Sequence, residues 1–220
     1  MSAADRWDAK YADWDEPGLP SEFVTGCVEH LADCPTAADL AGGTGGTALW
    51  LASQGIDTTL VDVSERALEI ARAAAGERSL HLRTVQADLE AEPLPTLAAL
   101  SGGSRESGGN EDGLGGGDES RNSGAEDGGG WHAVVCTNFL HRPLLGALGG
   151  LLVPGGIALV LIATVDNLLY NTRPGRPFLV KRGELPGLCH GLEPISFEEG
   201  WFGQRHEARL VARRATSPAS

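Results

Sequence analysis

Glycines cluster directly after the first apolar run of the chain, where they could hold a charged small molecule. Residues 36–46 read TAADLAGGTGG, with Asp39 inside the run, and a helical pattern (TALWLASQG) follows. Glycine tolerates a positive φ and has no Cβ, so this backbone can turn sharply and approach a bound molecule. A strand, a glycine turn and a helix start are typical of the cofactor site of an open α/β sheet. The segment therefore predicts a site for a nucleotide-like cofactor.

Two further acids extend this pattern to the next two strands. Asp62 ends the apolar run TTLVD, and Asp88 follows a third run. Ligands bind at the carboxyl ends of parallel strands, so we expect Asp39, Asp62 and Asp88 to face one cleft. A carboxylate offers two acceptor oxygens to a pair of ribose hydroxyls. Capping of the following helix explains Asp62 equally well when that residue is taken alone.

Alternating apolar runs and helical patterns predict the elements that carry these acids. Strands are expected at 37–41, 58–63, 80–85 and 131–137, and helices at 47–54, after Ser64 and at 140–152. The PGG at 154–156 predicts a turn into the strand IALVLIA, and 192–197 and 208–213 predict a closing antiparallel pair. The expected fold class is α/β: a doubly wound, seven-stranded, mostly parallel sheet with one antiparallel strand near the C-terminal end.

One long segment interrupts this order. Residues 101–130 contain twelve glycines, seven acids and two arginines but very few apolar residues. Such a composition buries too little surface to offset its ordering entropy. We expect a single domain over 1–220 with a disordered insertion at 101–130.

Composition also narrows the functional classes. The formal net charge of −13 argues against a nucleic-acid-binding surface. The four cysteines are scattered without metal-ligand spacing, so we expect free thiols and no metal. Because no stretch predicts a signal peptide or a membrane span, a cytoplasmic protein is expected.

The motifs resemble those of class I S-adenosylmethionine-dependent methyltransferases. The resemblance rests on DLAGGTGGTALWLASQG, VDVSERALEIAR, QADLE, TNFLHRPLL, LVPGGIALV and RGEL, together with the leader WDAKYADWDEPGLPSEFV. Within that superfamily the chain looks most like the small-molecule branch that contains tellurite-resistance and thiopurine-type enzymes. The resemblance covers nearly the whole chain except the glycine-rich segment, and it implies S-adenosylmethionine as the cofactor.

The resemblance also implies roles for individual residues. Contacts to the amino-acid end of the cofactor would come from Asp39, Gly43 and Gly45, the ribose would be held by Asp62, and the adenine by Asp88 and the Leu89 backbone. Asn138 would lie at the methyl-transfer centre as both a cofactor-binding and a catalytic residue. The expected cofactor site is completed by Ala41, Val63, Trp7 and Tyr11.

Some residues depart from the family pattern or admit two interpretations. Ala41 stands where the family has its first glycine, and Ala163 stands where the branch commonly has an acid after the fifth strand.

The spacing of Trp7, Tyr11 and Trp14 predicts one helical face, which could be core packing or a cover over the cofactor. His141 is the candidate general base for an oxygen or nitrogen nucleophile, although it could simply start a helix.

The expected activity is methyl transfer to a small-molecule acceptor, such as a thiol or a chalcogen oxyanion, by in-line displacement. Arg142 and Arg176 are the candidate substrate residues. The expected protein is a monomer or weak homodimer without nucleic-acid or membrane partners. A non-catalytic scaffold with this fold is one alternative. An NAD-dependent oxidoreductase is another, because Gly43, Gly45 and Ala48 also satisfy GxGxxG/A.

Overall fold

The computed structural model describes residues 1–100 and 129–216 and contains a seven-stranded sheet. The strands are β1 (Thr36–Leu40), β2 (Asp57–Asp62), β3 (Leu82–Gln86), β4 (Trp131–Thr137), β5 (Leu152–Ala163), β6 (Leu192–Phe202) and β7 (Arg205–Arg214). Their spatial order is β3-β2-β1-β4-β5-β7-β6. β1 to β5 pair in parallel, and β7 is antiparallel to both β5 and β6. The predicted fold class is therefore confirmed.

Eight helices are described within the same residues. They are α1 (Ala3–Tyr11), α2 (Glu22–Gly26), α3 (Val28–Leu31), α4 (Gly46–Ser53), α5 (Glu65–Glu77), α6 (Leu97–Leu100), α7 (Arg142–Leu151) and α8 (Leu185–Leu188). Two short 3₁₀ helices, Val165–Leu169 and Arg176–Phe178, lie between β5 and α8. The Ser64 hydroxyl caps α5 by accepting a hydrogen bond from the Ala67 amide, as its position before SERALEIAR predicts.

The central strands are mostly apolar because helices cover both faces of the sheet. Successive side chains of a strand point to opposite faces. Leu40 and Cys136 accordingly pack on one face with the leucines of α7, while Ala37 and Val135 pack on the other with α2 and α3. Burial on both faces explains why these strands read as continuous apolar runs rather than as alternating patterns.

Several boundaries differ from the predicted ones; β3 and β7, for example, begin at Leu82 and Arg205 instead of at 80 and 208. β5 begins at Leu152 and runs through the PGG predicted as a turn, with an irregular register against β4 there. β6 continues to Phe202 instead of ending at 197, because its second half pairs with β7 although it is largely polar. α1 ends at Tyr11, so Trp14 lies beyond the predicted helical face. Of the predicted insertion, 101–128 lie outside the described residues.

Candidate cofactor and acceptor site

The turn after β1 has the backbone that its glycines predict. Gly43 and Gly45 have φ values of 57° and 80°. Ala41 also has a positive φ, 53°, which shows why glycine suits the position and why alanine there is strained. A Cβ on Gly42 would lie 2.5 Å from Oδ2 of Asp39. The turn therefore brings its backbone directly against the Asp39 carboxylate.

Asp39 is the most unusual charged group of the site. Its side chain is 1% exposed, and neither carboxylate oxygen has a hydrogen-bond partner among the described residues. Burial, reinforced by the nearby charge of Asp62, raises the pKa of Asp39 to about 7. The Ala48 amide opposes this shift without reaching hydrogen-bond geometry. A buried carboxylate without a partner fits a ligand that brings a cation to it.

Asp62 lies at the carboxyl end of β2, and both of its oxygens already accept backbone hydrogen bonds. Oδ2 accepts from the Gly43 amide at 2.8 Å and Oδ1 from the Ser64 amide at 2.9 Å. Burial raises the pKa of Asp62, and these amides together with the Lys10 charge partly offset the rise. Each oxygen retains accepting capacity for a further donor. Asp62 thus orients the glycine turn and can also accept a pair of ligand hydroxyls.

A narrow slot next to Asp62 has largely apolar walls and is also lined by two further acids, Asp88 and Glu90. Its lining includes Val63, Asp88, Leu89 and Phe139. Oδ1 of Asp88 accepts a hydrogen bond from the Glu90 amide, which fixes this exposed side chain at the rim. A planar base between apolar walls with a carboxylate at its amino edge would suit this chemistry.

The N-terminal helix α1 lies over the cleft and contributes both aromatic and charged groups. Trp7 and Tyr11 are stacked with ring centroids 6.0 Å apart, and Trp14 still meets Tyr11 edge-on at 5.4 Å. The ammonium group of Lys10 lies 4.1 Å from the Trp7 ring centroid. Burial, reinforced by the Asp62 charge, raises the pKa of Tyr11 to about 12. Tyr11 also packs on α5, in agreement with core packing, whereas a cover over the cofactor stays a prediction.

The segment after α1 is hydrogen-bonded to the glycine turn. The Gly18 amide donates to Oγ1 of Thr44 at 2.8 Å, and the Ser21 amide donates to Oγ1 of Thr47 at 3.0 Å. A Cβ on Gly46 would overlap the Gly18 carbonyl oxygen. Residues 17–21 therefore close one side of the cleft against the start of α4.

Beneath α1 and this segment lies a cavity of about 710 Å³, and β7 provides its far wall. Three charged residues of β7, Arg205, Glu207 and Arg209, line that wall. Glu207 is 5% exposed and accepts hydrogen bonds from Nε and Nη2 of Arg209 at 3.1 and 2.9 Å. Nε of Arg205 lies 3.6 Å from Oε1 of the same glutamate. The three side chains carry one net positive charge.

Asn138 lies between the narrow slot and the β7 wall of the cavity. It follows β4 with a φ of 60°, a left-handed conformation that asparagine tolerates better than most residues. Its Oδ1 accepts a hydrogen bond from Nη2 of Arg205 at 2.8 Å. Asn138 also lines the narrow slot, so it borders both parts of the site.

The structure brings most of the predicted site residues together but leaves four outside the two cavities. Gly45 packs inward against Ala71. His141 precedes α7, and its Nδ1 is buried without a partner. Arg142 forms a two-pronged ion pair with Glu184, and Arg176 is exposed in a 3₁₀ helix. The roles predicted for these four residues, like those of the residues that line the cavities, stay predictions.

Sequence reasoning missed Lys10 and the three charged residues of β7 as parts of the site. Arg205, Glu207 and Arg209 recur at every second position of one strand. Such alternation places side chains on one face of a strand, and that signal could have identified them. Lys10 had no comparable signal, because its position depends on how α1 docks.

The described residues contain neither a candidate metal site nor a candidate membrane span. No group of three His, Cys, Asp or Glu side chains within 1–100 and 129–216 could hold a metal ion. No helix in these two ranges is both long and apolar enough to span a membrane. The four cysteines are free.

Comparisons with known proteins point to methyltransferases. Residues 37–99 match the family model described as "Methyltransferase domain". TehB from Haemophilus influenzae is similar in structure, with a TM-score of 0.63 at 16% identity over 95% of this chain and 67% of that chain. Magnesium protoporphyrin IX methyltransferase from Synechocystis PCC 6803, solved with bound S-adenosylhomocysteine, has a TM-score of 0.57 at 16% identity over 96% and 93%.

A third similar structure, the [4+2]-cyclase SpnF, has a TM-score of 0.55 at 16% identity over 98% of this chain and 82% of that chain. No curated protein sequence matches the chain. Taken together, residues 37–99 match a methyltransferase domain, and the chain has a fold that methyltransferases of known structure share. The narrower resemblance to the tellurite-resistance and thiopurine-type branch stays a prediction.

Proposed function

We propose that this protein transfers a methyl group from S-adenosylmethionine to a small-molecule acceptor by in-line displacement. The observation that carries the proposal is the unpartnered carboxylate of Asp39, buried in a cleft that adjoins Asp62. Leaving a carboxylate buried without a partner costs stability, which a cationic ligand group recovers. The ammonium group of the cofactor's amino-acid tail is such a cation.

The remaining residues of the cleft complete a site of matching chemistry. Asp62 would accept hydrogen bonds from the ribose hydroxyls while it holds the glycine turn. The slot beside Leu89 and Phe139 would take the adenine ring, with Asp88 at its amino group. Trp7 would cover the cofactor from α1. The residues present therefore fit S-adenosylmethionine in charge and polarity.

Catalysis would consist mainly of alignment and exclusion of water. When bound, S-adenosylmethionine supplies an electrophilic sulfonium methyl group. Holding a nucleophile in line with its target contributes on the order of 7–11 kcal/mol to such reactions. Asn138, which borders both halves of the cavity, would orient the acceptor there. His141, whose Nδ1 has no partner, would accept a proton only from an acceptor that needs a base, after a change in side-chain position.

The acceptor that we propose is a small molecule such as a thiol or a chalcogen oxyanion. A soft nucleophile of this kind needs no dedicated general base. The acidic net charge of −13 disfavours a nucleic-acid acceptor. We also retain as predictions a monomer or weak homodimer, a cytoplasmic location and a single domain over 1–220.

Calorimetric titration tests the cofactor assignment. Purified protein is titrated with S-adenosylmethionine, S-adenosylhomocysteine and NAD, and the same titrations are made on Asp62→Ala and on the control Asp57→Asn, a change at an exposed residue at the other end of β2. We expect micromolar binding of both adenosyl ligands to the wild type and to the control, and no binding of NAD. Asp62→Ala should bind the adenosyl ligands at least about tenfold more weakly, because at least one charged hydrogen bond is lost. Binding of NAD alone, or of no ligand, would refute the proposal.

A scaffold or another reaction on the same fold needs a separate test, because fold alone does not fix function and the similar structure SpnF is a cyclase. Release of S-adenosylhomocysteine is measured with pooled small-molecule acceptors. Turnover by the wild type that disappears in Asp62→Ala would exclude a scaffold. Cofactor binding without turnover on any acceptor pool would favour it.

A further inference from the structure

A third pocket, of about 210 Å³, adjoins the large cavity on the β5 and β7 side. The residues that line it are Asn138, Ile162, Ala163, Pro174, Phe178 and Arg205. Asn138 and Arg205 also line the larger cavity, so their hydrogen-bonded pair stands where the two spaces meet. A molecule in this pocket would reach the cofactor side past that pair.

The walls of this pocket are apolar apart from the shared pair. Ile162 and Ala163 belong to the end of β5, and Pro174 and Phe178 come from the segment that follows it. Apolar cavities of roughly 150 Å³ hold a benzene ring. A pocket of about 210 Å³ therefore suits one ring or a branched aliphatic group.

Arg205 is the one charged side chain among the described residues that line the pocket. Its guanidinium donates one hydrogen bond, to Asn138, and its Nε lies 3.6 Å from Glu207. The charge of Glu207 is already matched by the two-nitrogen contact from Arg209. Arg205 therefore keeps N–H donors and a net charge of one for a ligand. A planar guanidinium matches a carboxylate particularly well because both present two parallel contacts.

We propose that this pocket binds the apolar body of the methyl acceptor and that Arg205 binds its anionic group. The acceptor is then a small carboxylic acid that carries a nucleophilic sulfur or oxygen on a ring or branched chain. This inference rests on the proposed methyl transfer and narrows its acceptor class. A bare inorganic oxyanion would leave the apolar walls unused, and an uncharged thiol would leave Arg205 without its partner.

The methyl transfer balances for such an acceptor. A lone pair of its sulfur or oxygen forms a bond to the methyl carbon while the bond from that carbon to the sulfonium sulfur breaks. The electrons of the broken bond remain on S-adenosylhomocysteine as a thioether lone pair, and the proton of the acceptor passes to water. Asn138 and Arg205 hold the acceptor at the junction of the two spaces and take no part in bond making.

Binding of non-reactive probes tests the pocket independently of turnover. Wild-type protein, with and without saturating S-adenosylhomocysteine, is titrated calorimetrically with benzoate, its neutral isostere benzamide, and selenite. We expect benzoate to bind about tenfold or more tightly than benzamide, because the charged hydrogen bonds to Arg205 are lost in the amide. Selenite should bind more weakly than benzoate because it has no apolar body. Equal binding of benzoate and benzamide, or tighter binding of selenite, would overturn the proposal.

Three variants and one control identify the residues responsible for probe binding. Arg205→Ala should bind benzoate and benzamide equally, and Arg205→Lys should retain part of the preference, which separates loss of charge from loss of folding. Phe178→Ala should weaken both probes together. Arg213→Ala removes an exposed arginine from the other end of the same strand and should behave as the wild type. A benzoate preference that persists in Arg205→Ala would contradict the assignment.

Turnover gives an independent readout. The three mercaptobenzoate isomers are compared with thiophenol, and we expect at least one isomer to exceed thiophenol about tenfold in kcat/KM, mainly through KM. That ratio should fall to near one in Arg205→Ala, while the control Arg213→Ala should keep both the ratio and the S-adenosylhomocysteine affinity of the wild type. Binding of S-adenosylhomocysteine without any carboxylate preference would refute only the acceptor assignment, whereas absence of that binding would refute the proposed function.

Discussion

Replacing Asp39 by asparagine should stabilise the protein in the absence of cofactor, and increasingly so as the pH rises. The pKa of Asp39 is raised from 3.8 to about 7 by burial and by the charge of Asp62. Between these values the folded protein holds a proton that the unfolded chain has released. Wild-type stability therefore falls as the pH rises from about 4 to about 7, by linkage. Asparagine cannot ionise, so Asp39→Asn escapes this loss.

The size of the effect follows from the same two pKa values. At pH 8 ionisation of Asp39 disfavours the folded state by about 4 kcal/mol, and at pH 4 by less than about 1 kcal/mol. Chemical denaturation of both proteins from pH 4 to pH 8 measures the difference. The control is Asp57→Asn, which removes an exposed aspartate from the neighbouring strand. The reasoning would be refuted by a difference that does not depend on pH, or by an Asp39→Asn protein less stable than the wild type at pH 8.

Saturating S-adenosylhomocysteine should reverse the order of stability, so that the wild type becomes more stable than Asp39→Asn. Its ammonium group would favour the charged form of Asp39, so binding should release a proton near pH 6. Asp39→Asn should lose both the ligand stabilisation and the proton release. Calorimetry in two buffers with different ionisation enthalpies measures that release. An unchanged affinity in Asp39→Asn would show that the amino-acid tail does not contact this carboxylate.

Two further variants test how the N-terminal segment is attached. Gly46→Ala would place a Cβ into the Gly18 carbonyl, so we expect a lower Tm and faster proteolysis of residues 1–21. The control is Gly76→Ala, whose Cβ meets open space. Its free energy of unfolding should rise by about 0.5–1 kcal/mol. Ser64→Ala removes the cap of α5 and the 2.6 Å hydrogen bond to Asp8, and should cost about 1–2 kcal/mol in denaturant titrations. Unchanged proteolysis in the first variant, or unchanged stability in the last, would contradict these contacts.

The fold was predictable where burial dominates the sequence pattern. β1, β2 and β4 are buried apolar runs, and their predicted bounds differ from the observed ones by at most one residue. β6 was predicted too short because it lies at the edge of the sheet, where 198–201 need no apolar side chains to pair with β7. The PGG before 157 was read as a turn because local signals do not reveal an irregular pairing with β4.

The cofactor side of the site was more predictable than the acceptor side. Asp39 and Asp62 end strands whose parallel order follows from the alternation of elements, so their meeting was expected. Arg205 reaches Asn138 only because β7 reverses direction beside β5, and they are 67 residues apart in the chain. Lys10 enters the cleft through the docking of α1. Contacts of this kind depend on tertiary arrangement rather than on local pattern.

The order of the strands also divides the protein's chemistry between two parts of the chain. The acids assigned to the cofactor all precede residue 90, whereas the pocket assigned to the acceptor is built entirely from residues after 137. Selection on acceptor preference can therefore act on the second part while the first is left intact. A chimera that keeps residues 1–100 and takes its later strands from another methyltransferase of this fold should inherit the cofactor affinity of one parent and the acceptor range of the other.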